Sequence, residues 1–324
     1  MAAELTRSWQ APFPVDVPLT LSVHRHGGGD PTYRVESNGA IWRTSLTPQG
    51  PAAMRITHAK APAHRPEAPG PEVSAQAWGP GAGWLLGTLQ DQLGAHDADR
   101  QLPDGADSPG AALLRTIALR HQGLRIGRSQ RVLEALVPAI LEQKVVTKEA
   151  HRAWHALLYK FGTPAPGPAP ASLRVFPPPR VWARIPSWDW HRAGVEGVRA
   201  QTIMNAARLA TRLEQIVTLS HDGTGHAEAD RQLRLLPGVG PWTSAEVRQR
   251  ACGDPDAVSV GDYHLPKTVG WTLAGQRGTD DEGMLELLAP YAGQRYRVQR
   301  LIELGGSAPP RRGPRMAVRD YRGF

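Results

Sequence analysis

The feature that most constrains this chain is a short turn that carries two glycines between two stretches of helical periodicity. Residues 235–243 read LLPGVGPWT. Gly238 and Gly240 can adopt positive φ and let the backbone approach a ligand closely, and Val239 between them can pack inward. Pro241 suits the first position of the following helix. The pattern predicts a hairpin between two helices whose free N–H groups and following helix N-terminus point towards an anion such as a DNA phosphate; the alternative is a plain turn between two helices.

A hairpin of this kind contacts the DNA backbone and reads no base, because a phosphate carries no sequence information. We expect the contacts to come from Gly238, Val239, Gly240 and Thr243. The formal net charge of +8 and the pI near 10.0 favour a polyanionic partner, since Lys and Arg neutralise phosphates and release counterions. An arginine-rich genome composition produces the same balance, so charge by itself does not decide.

An acidic residue follows the hairpin by about twenty residues and lies directly before another predicted helix. Residues 258–267 read VSVGDYHLPK, which places Asp262 at the helix N-terminus. Asp is a favoured N-cap, and capping is the simpler interpretation of this residue considered alone. The two roles are compatible, because a helix N-terminus also stabilises an ionised carboxylate. An ionised carboxylate can stabilise a sugar cation or activate water.

Short strands are predicted near the N-terminus and helices over the rest of the chain. The predicted strands are 19–24, 33–35, 40–43 and 53–57, followed by a helix at 84–93. Apolar residues then recur at three- and four-residue spacing, which predicts helices at 110–121, 128–161, 196–216, 227–235, 242–251, 263–273, 281–288 and 292–304. The predicted fold class is mainly α with an N-terminal α+β domain that contains a small antiparallel sheet. The predicted domains are 1–108, 109–310 and a basic tail at 311–324.

Several protein classes are excluded by composition. A single cysteine, Cys252, rules out a disulfide framework, a four-cysteine zinc site and a cysteine-ligated iron–sulfur cluster. His24, His26, His58 and His64 lack metal-ligand spacing, so no metal site is expected. No apolar run has the length of a membrane span or the pattern of a signal peptide. We therefore expect a cytoplasmic protein with no membrane partner, acting as a monomer.

The pairing of the LPGVG turn with an Asp-Tyr about twenty residues later resembles the helix-hairpin-helix DNA glycosylase superfamily. Within it, the chain is most similar to the bacterial 3-methyladenine DNA glycosylase II family. The resemblance covers nearly the whole chain, with its two strong motifs between residues 235 and 267. Further matching segments are the ILEQ at 140–143, Phe176-Pro177, the GVRAQTI at 197–203 and Pro290-Tyr291.

This resemblance implies a cleft between helical lobes into which a damaged nucleotide of double-stranded DNA is flipped. It implies hydrolysis of the N-glycosidic bond of an alkylated purine, of the 3-methyladenine type, which leaves an abasic site. Asp262 would be the catalytic carboxylate. The implied base pocket consists of Gln143, Trp242, Tyr263 and Tyr291. No cofactor is expected beyond a monovalent cation at the hairpin carbonyls, and the enzyme would work at the nucleoid.

Three residues depart from or qualify this resemblance. Trp242 stands where lyase-competent relatives place a Schiff-base lysine, so we expect a monofunctional glycosylase. Lys144 stands where the resembled family tends to place an apolar wedge, and Glu246 where it can show an aromatic. The alternative function is a non-catalytic protein that binds damaged DNA through the same hairpin. Asp262 argues against that alternative, because backbone binding needs no carboxylate facing DNA.

Overall fold

A computed structural model describes residues 4–59, 70–97, 102, 110–219 and 225–310. Within these ranges the chain forms one antiparallel sheet near the N-terminus and helices over most of the remainder. The predicted boundary between residues 108 and 109 and the predicted basic tail at 311–324 lie outside the described residues. No helix in the described ranges is long and apolar enough to cross a membrane.

The sheet has five strands in the order β1-β5-β4-β3-β2, and every neighbouring pair is antiparallel. The strands are β1 Leu5–Gln10, β2 Tyr33–Val35, β3 Ile41–Thr47, β4 Gly50–His58 and β5 Glu72–Trp78. Alternate side chains of β5, at Val73, Ala75 and Ala77, point into one core, as the period of two in a strand requires. A second, two-stranded sheet joins β6 Thr163–Pro164 to β7 Arg174–Val175.

The strand predicted at 19–24 is wrong. This segment is the helix α1 Val17–Leu21 followed by a 3-10 turn Ser22–His24. Asp16 precedes the helix, and its side chain accepts a hydrogen bond from the Leu19 N–H at 2.9 Å. Pro18 fits the first turn of a helix. The cap and the proline therefore outweigh the β-branched residues that suggested a strand.

The predicted helices are present, in several places as shorter consecutive pieces, together with two short helices between residues 179 and 192 that the sequence did not predict. They are α2 Ala82–Gly87, α3 Leu89–Gln92, α4 Ala111–Arg120, α5 Val132–Leu141, α6 Thr147–Phe161, α7 Pro179–Trp182, α8 Ser187–Arg192, α9 Gly197–Arg208, α10 Ala210–Glu214, α11 Ile216–Leu219, α12 His226–Arg234, α13 Pro241–Val247, α14 Leu265–Ala274, α15 Asp281–Leu288 and α16 Arg295–Gly305. A π-helical turn, Arg248–Cys252, continues α13. A 3-10 turn, Ala289–Tyr291, precedes α16.

The helices form two lobes with separate apolar cores. The first lobe contains α5 to α13, whose buried side chains from Val132 to Cys252 make one cluster. The second lobe contains α4 and α14 to α16, which share another cluster. Residues 253–264 pass from the first lobe to the second. The predicted hairpin therefore lies in the first lobe, and Asp262 lies on the segment that joins the two.

The sheet is tied to the first lobe by a buried carboxylate. Glu134, on α5, accepts hydrogen bonds from the Leu46 N–H at 2.6 Å and from the Ser45 hydroxyl at 2.9 Å. Burial raises the pKa of Glu134, against the opposing effect of the nearby Arg131 charge. The end of β3 is thus fixed against the helix that leads towards the hairpin.

Candidate functional site

The hairpin turn depends on glycine at one position for two separate reasons. Gly238 has a φ of 89°, in the left-handed region that favours glycine. A Cβ atom there would also lie 2.3 Å from the Oγ1 of Thr202 on α9. Val239 is buried in the core of the first lobe, as predicted. Gly240 precedes α13, and Pro241 occupies its first turn, so the N-terminus of α13 begins immediately after the turn.

Gln143 connects the end of α5 to this hairpin. Its Nε2 donates to the Gly238 carbonyl at 2.9 Å and to the Thr243 Oγ1 at 2.8 Å. The structure thus turns the Gln143 amide onto the hairpin, whereas the sequence assigned it to a base pocket. Thr243 is buried and its hydroxyl accepts this bond. A phosphate contact from Thr243 would therefore use its main-chain N–H in the first turn of α13.

The turn after Gln143 has an unusual backbone conformation. Lys144 has a φ of 55°, and in the described ranges Gln130 is the other non-glycine residue with positive φ. An L-residue in the left-handed region costs about 1–2 kcal/mol. Lys144 is exposed. Its side chain therefore stands at the surface directly beside the residue that fastens the hairpin.

The Asp262 carboxylate caps α14 and also faces the hairpin helix. Its Oδ1 accepts hydrogen bonds from the main-chain N–H groups of His264 at 2.7 Å and Leu265 at 2.8 Å. The indole Nε1 of Trp242 lies 3.4 Å from Oδ2. Gly261, with a φ of 94°, makes the turn immediately before it. The structure therefore brings the two sequence motifs together, and one carboxylate oxygen is held by the main chain while the other faces Trp242.

The two tyrosines predicted to line a base pocket, Tyr263 and Tyr291, do not form an enclosed pocket with Asp262. Tyr263 is 73% exposed, and the Nζ of Lys267 lies 3.9 Å from the centre of its ring. Tyr291 is 2% exposed and packs in the core of the second lobe. The 3-10 turn before α16 directs its ring inward among the apolar side chains there. This burial corrects the prediction for Tyr291, because a ring in a packed core forms no wall open to a base.

A polar network of Glu246, Gln249, Arg250 and Ser259 lies behind Trp242. The sequence did not predict that these residues interact. The Ser259 hydroxyl donates to Glu246 Oε1 at 2.6 Å, and Arg250 donates to Glu246 Oε2 at 2.6 Å. Gln249 Nε2 donates to the Ala257 carbonyl at 2.7 Å and to the Ser259 hydroxyl oxygen at 2.9 Å. Glu246 was noticed only as a departure from the family pattern. Ser259 and Gln249 belong to no motif, so nothing in the sequence marks them.

A second polar group lies next to Gln143. The Glu142 carboxylate is 3.7 Å from His26 Nδ1 and 3.9 Å from His151 Nε2. Burial raises the pKa of Glu142, but interactions with His26 and the charge of Arg250 outweigh burial, so the pKa lies below its ordinary value. Burial lowers the pKa of His151, against the charge of Glu142. A negative charge is thus maintained one residue before Gln143.

A cavity of about 780 Å³ is lined in part by Pro241 and Val260, close in sequence to Trp242 and Asp262, although neither Trp242 nor Asp262 lines it. Its charged lining residues include the ion pairs of Arg248 with Asp254 and of Arg295 with Asp256. Over the part of the chain that the structure describes, no group of three or more His, Cys, Asp or Glu side chains could hold a metal ion. The candidate site is the region where Trp242 contacts Asp262, because the two sequence motifs come together there.

Comparison with known proteins supports the fold. No protein-family model matches the chain. It is 34% identical over 189 residues, 56% of its length, to a probable bifunctional transcriptional activator/DNA repair enzyme AlkA in two strains of Mycobacterium tuberculosis. The match covers 37% of the relative, so the chain spans little more than a third of the length of the curated relatives it matches.

Two solved structures cover almost the whole chain. The 3-methyladenine DNA glycosylase of Archaeoglobus fulgidus has a TM-score of 0.70 at 18% identity, over 92% of this chain and 98% of that one. The 8-oxoguanine glycosylase/lyase of Clostridium acetobutylicum, in complex with double-stranded DNA, has a TM-score of 0.64 at 12% identity, over 93% and 97%. The chain therefore shares the fold of these helix-hairpin-helix DNA glycosylases, which confirms the predicted fold class.

Proposed function

We propose that this chain, whose fold is that of the helix-hairpin-helix DNA glycosylases, is a monofunctional glycosylase for alkylated purines of the 3-methyladenine type. The observation that carries the proposal is the contact between Trp242, on the hairpin helix, and Asp262. This contact places a turn that could bind a DNA phosphate next to a carboxylate that could stabilise a sugar cation. The names of the Mycobacterium relative and of the Archaeoglobus structure support the choice of alkylated bases.

In this reaction the protein has two main tasks: it stabilises the positive charge that forms on the sugar, and it positions the attacking water. A purine alkylated on a ring nitrogen is already cationic, so it leaves with the electron pair of the C1′–N bond. Asp262 Oδ1 is held by two main-chain N–H groups. Oδ2 lies 3.4 Å from the Trp242 indole nitrogen and keeps a lone pair that would face the positive sugar. Preorganised charge of this kind accounts for much of the rate enhancement of many enzymes. Water then attacks C1′ and gives up its proton towards Asp262, yielding an abasic site.

The hairpin would hold the DNA backbone while this happens. The N–H groups around Gly238 and Gly240 and the N-terminus of α13 favour an anion. A monovalent cation at the hairpin carbonyls is part of the proposal. The Gly238 carbonyl accepts one hydrogen bond from Gln143 and keeps a second lone pair. Neutral carbonyls without a carboxylate suit a weakly held monovalent ion, which would attract a phosphate.

The proposed partner is double-stranded DNA that contains a damaged base, bound by a monomer in the cytoplasm at the nucleoid. The product should be an intact strand, because Trp242 stands where a Schiff-base lysine would be needed. The competing function, a protein that binds damaged DNA without chemistry, accounts for Asp262 as a helix cap but assigns no DNA-related role to its carboxylate.

The test is a panel of duplexes, each with one modified base, scored for base release and for strand nicking without alkali. We expect release of alkylated purines and no nicking. Borohydride should trap covalent complex far more slowly than base is released. Trapping that keeps pace with release would overturn the monofunctional assignment. Tight binding to every damaged duplex without release from any would favour the non-catalytic alternative.

A further inference from the structure

The segment that carries Asp262 has no regular secondary structure of its own. Residues 257–262 lie between the π-helical turn and α14 and contain one turn, at residues 260–261. Side chains of the hairpin helix hold this segment at residues 257 and 259, and Asp281 of α15 holds it at Gly261, whose N–H donates to Asp281 Oδ1 at 3.0 Å. Gln249 donates to the Ala257 carbonyl, and both Gln249 and Glu246 are hydrogen-bonded to the Ser259 hydroxyl. The position of the candidate catalytic group therefore depends on residues outside its own loop.

Ser259 is bound at both of its polar ends. Its hydroxyl donates to Glu246 Oε1 at 2.6 Å, and its carbonyl accepts the Asp262 N–H at 3.2 Å. Trp242, one helical turn before Glu246, faces Asp262 Oδ2. One face of α13 thus contacts Asp262 directly through Trp242 and indirectly through Glu246 and Ser259.

The Glu246 carboxylate is buried and its charge is matched. Arg250 donates to Glu246 Oε2 at 2.6 Å and, through Nε, to the Val23 carbonyl at 2.9 Å. A buried ion pair contributes little net stability, because desolvation offsets most of the attraction. Apolar residues at both 246 and 250 would fill the same space at less electrostatic cost. The network therefore fits a role in fixing geometry better than a role in stability alone.

We propose that Glu246 and Ser259 are positioning residues that set the location of the Asp262 carboxylate against Trp242. This inference rests on the proposed function and adds to it two residues that touch neither DNA nor the reacting atoms. Only the hydrogen bond between them, not the charge of Glu246, should be needed to place Asp262.

The central variant is Ser259→Ala, which removes one hydroxyl. Its matched control is Ser45→Ala, because the Ser45 hydroxyl also donates to a buried glutamate, Glu134, at 2.9 Å on the sheet side. We expect Ser259→Ala to lower the single-turnover rate about tenfold to a hundredfold, since a small misplacement of a catalytic group has effects of that order. Affinity for a duplex with an abasic-site analogue should change less than about twofold, because the hairpin is untouched. Ser45→Ala should leave the rate unchanged.

A second variant separates hydrogen bonding from charge. Glu246→Gln keeps an oxygen for the Ser259 hydroxyl but leaves the buried Arg250 without its charge partner. We expect it to lower Tm more than Ser259→Ala does and to lower the rate less. The opposite order for Tm and rate would overturn the proposal, as would a wild-type rate in Ser259→Ala.

Hydrogen exchange tests positioning without any chemistry. Ser259→Ala should raise amide exchange over residues 257–265 and leave residues 235–243 unchanged. Unchanged exchange over 257–265 would overturn the positioning role. This readout distinguishes two failures: wild-type protein that releases no base contradicts the proposed function, whereas exchange reports on the support of Asp262 whether or not base is released.

Discussion

The hairpin and the segment that carries Asp262 lie side by side, yet they are held in place in different ways. The hairpin is fixed by backbone geometry: Gly238 has positive φ and leaves no room for a side chain beside Thr202. The Asp262 segment is fixed by side chains, including Glu246, Gln249 and Asp281. Under the proposed function, the main-chain geometry of the hairpin would hold any DNA backbone, whereas the Asp262 carboxylate would serve one chemical step. Changes in the first should affect affinity generally, and changes in the second should affect the reaction alone.

The largest expected effect is on the Asp262 side of this comparison. Asp262→Asn keeps an acceptor for the His264 and Leu265 N–H groups but loses the negative charge. We expect base release to fall by about a hundredfold to a thousandfold, as for other preorganised charge-stabilising groups, with affinity for an abasic-site duplex nearly unchanged. The measurement is single-turnover release alongside binding.

The control for that variant is Asp280→Asn. Asp280 is also a helix-capping aspartate, whose side chain accepts the Gly283 N–H at 3.0 Å at the start of α15. It should retain wild-type base release. Wild-type release in Asp262→Asn would mean that Asp262 is a cap and nothing more.

The next effect concerns the hairpin. Gly238→Ala places a methyl group at positive φ and against Thr202, at a cost of about 1–3 kcal/mol. We expect the affinities for damaged and undamaged duplexes to fall by the same factor. That factor is about tenfold if about 1.4 kcal/mol of binding free energy is lost. Gly39→Ala is the control, because Gly39 has a φ of 85° with open space around its Cβ position. It should lose some stability and no affinity. A loss confined to the damaged duplex would contradict the backbone-holding role.

The smallest effect tests the strained turn beside Gln143. Lys144→Gly should relieve left-handed strain of about 1–2 kcal/mol, less the entropic cost of glycine of about 0.5–1 kcal/mol. We expect a gain in the free energy of unfolding of up to about 1.5 kcal/mol, seen as a higher urea midpoint at constant m. Lys144→Ala removes the same amine and keeps the strain, so it should show no such gain. Equal midpoints for the two variants would show that the turn stores no strain.

The same comparison explains what the sequence could predict. Glycine and proline spacing encodes backbone conformation directly, so the hairpin and the start of α13 follow from residues 235–243. Asp262 was identifiable because a carboxylate before a helix is a local pattern. The Glu246–Ser259 bond joins residues 13 apart whose side chains meet only after the lobe has packed. Tyr291 was misplaced for the same reason, since only tertiary packing decides whether a ring after Pro290 points into a core or a cleft.

The bond from Arg250 to Val23 has a consequence for attempts to shorten this protein. Arg250 belongs to the network behind the hairpin helix, but one of its acceptors is a carbonyl near the N-terminus. Glu134 likewise takes its hydrogen bonds from β3. A fragment that starts after the sheet would keep both helical lobes and leave a buried arginine and a buried glutamate each missing a partner. The sheet therefore cannot be removed without disturbing the helical lobes. A fragment cut at that boundary should be insoluble, or its helices should be less stable around Arg250 and Glu134.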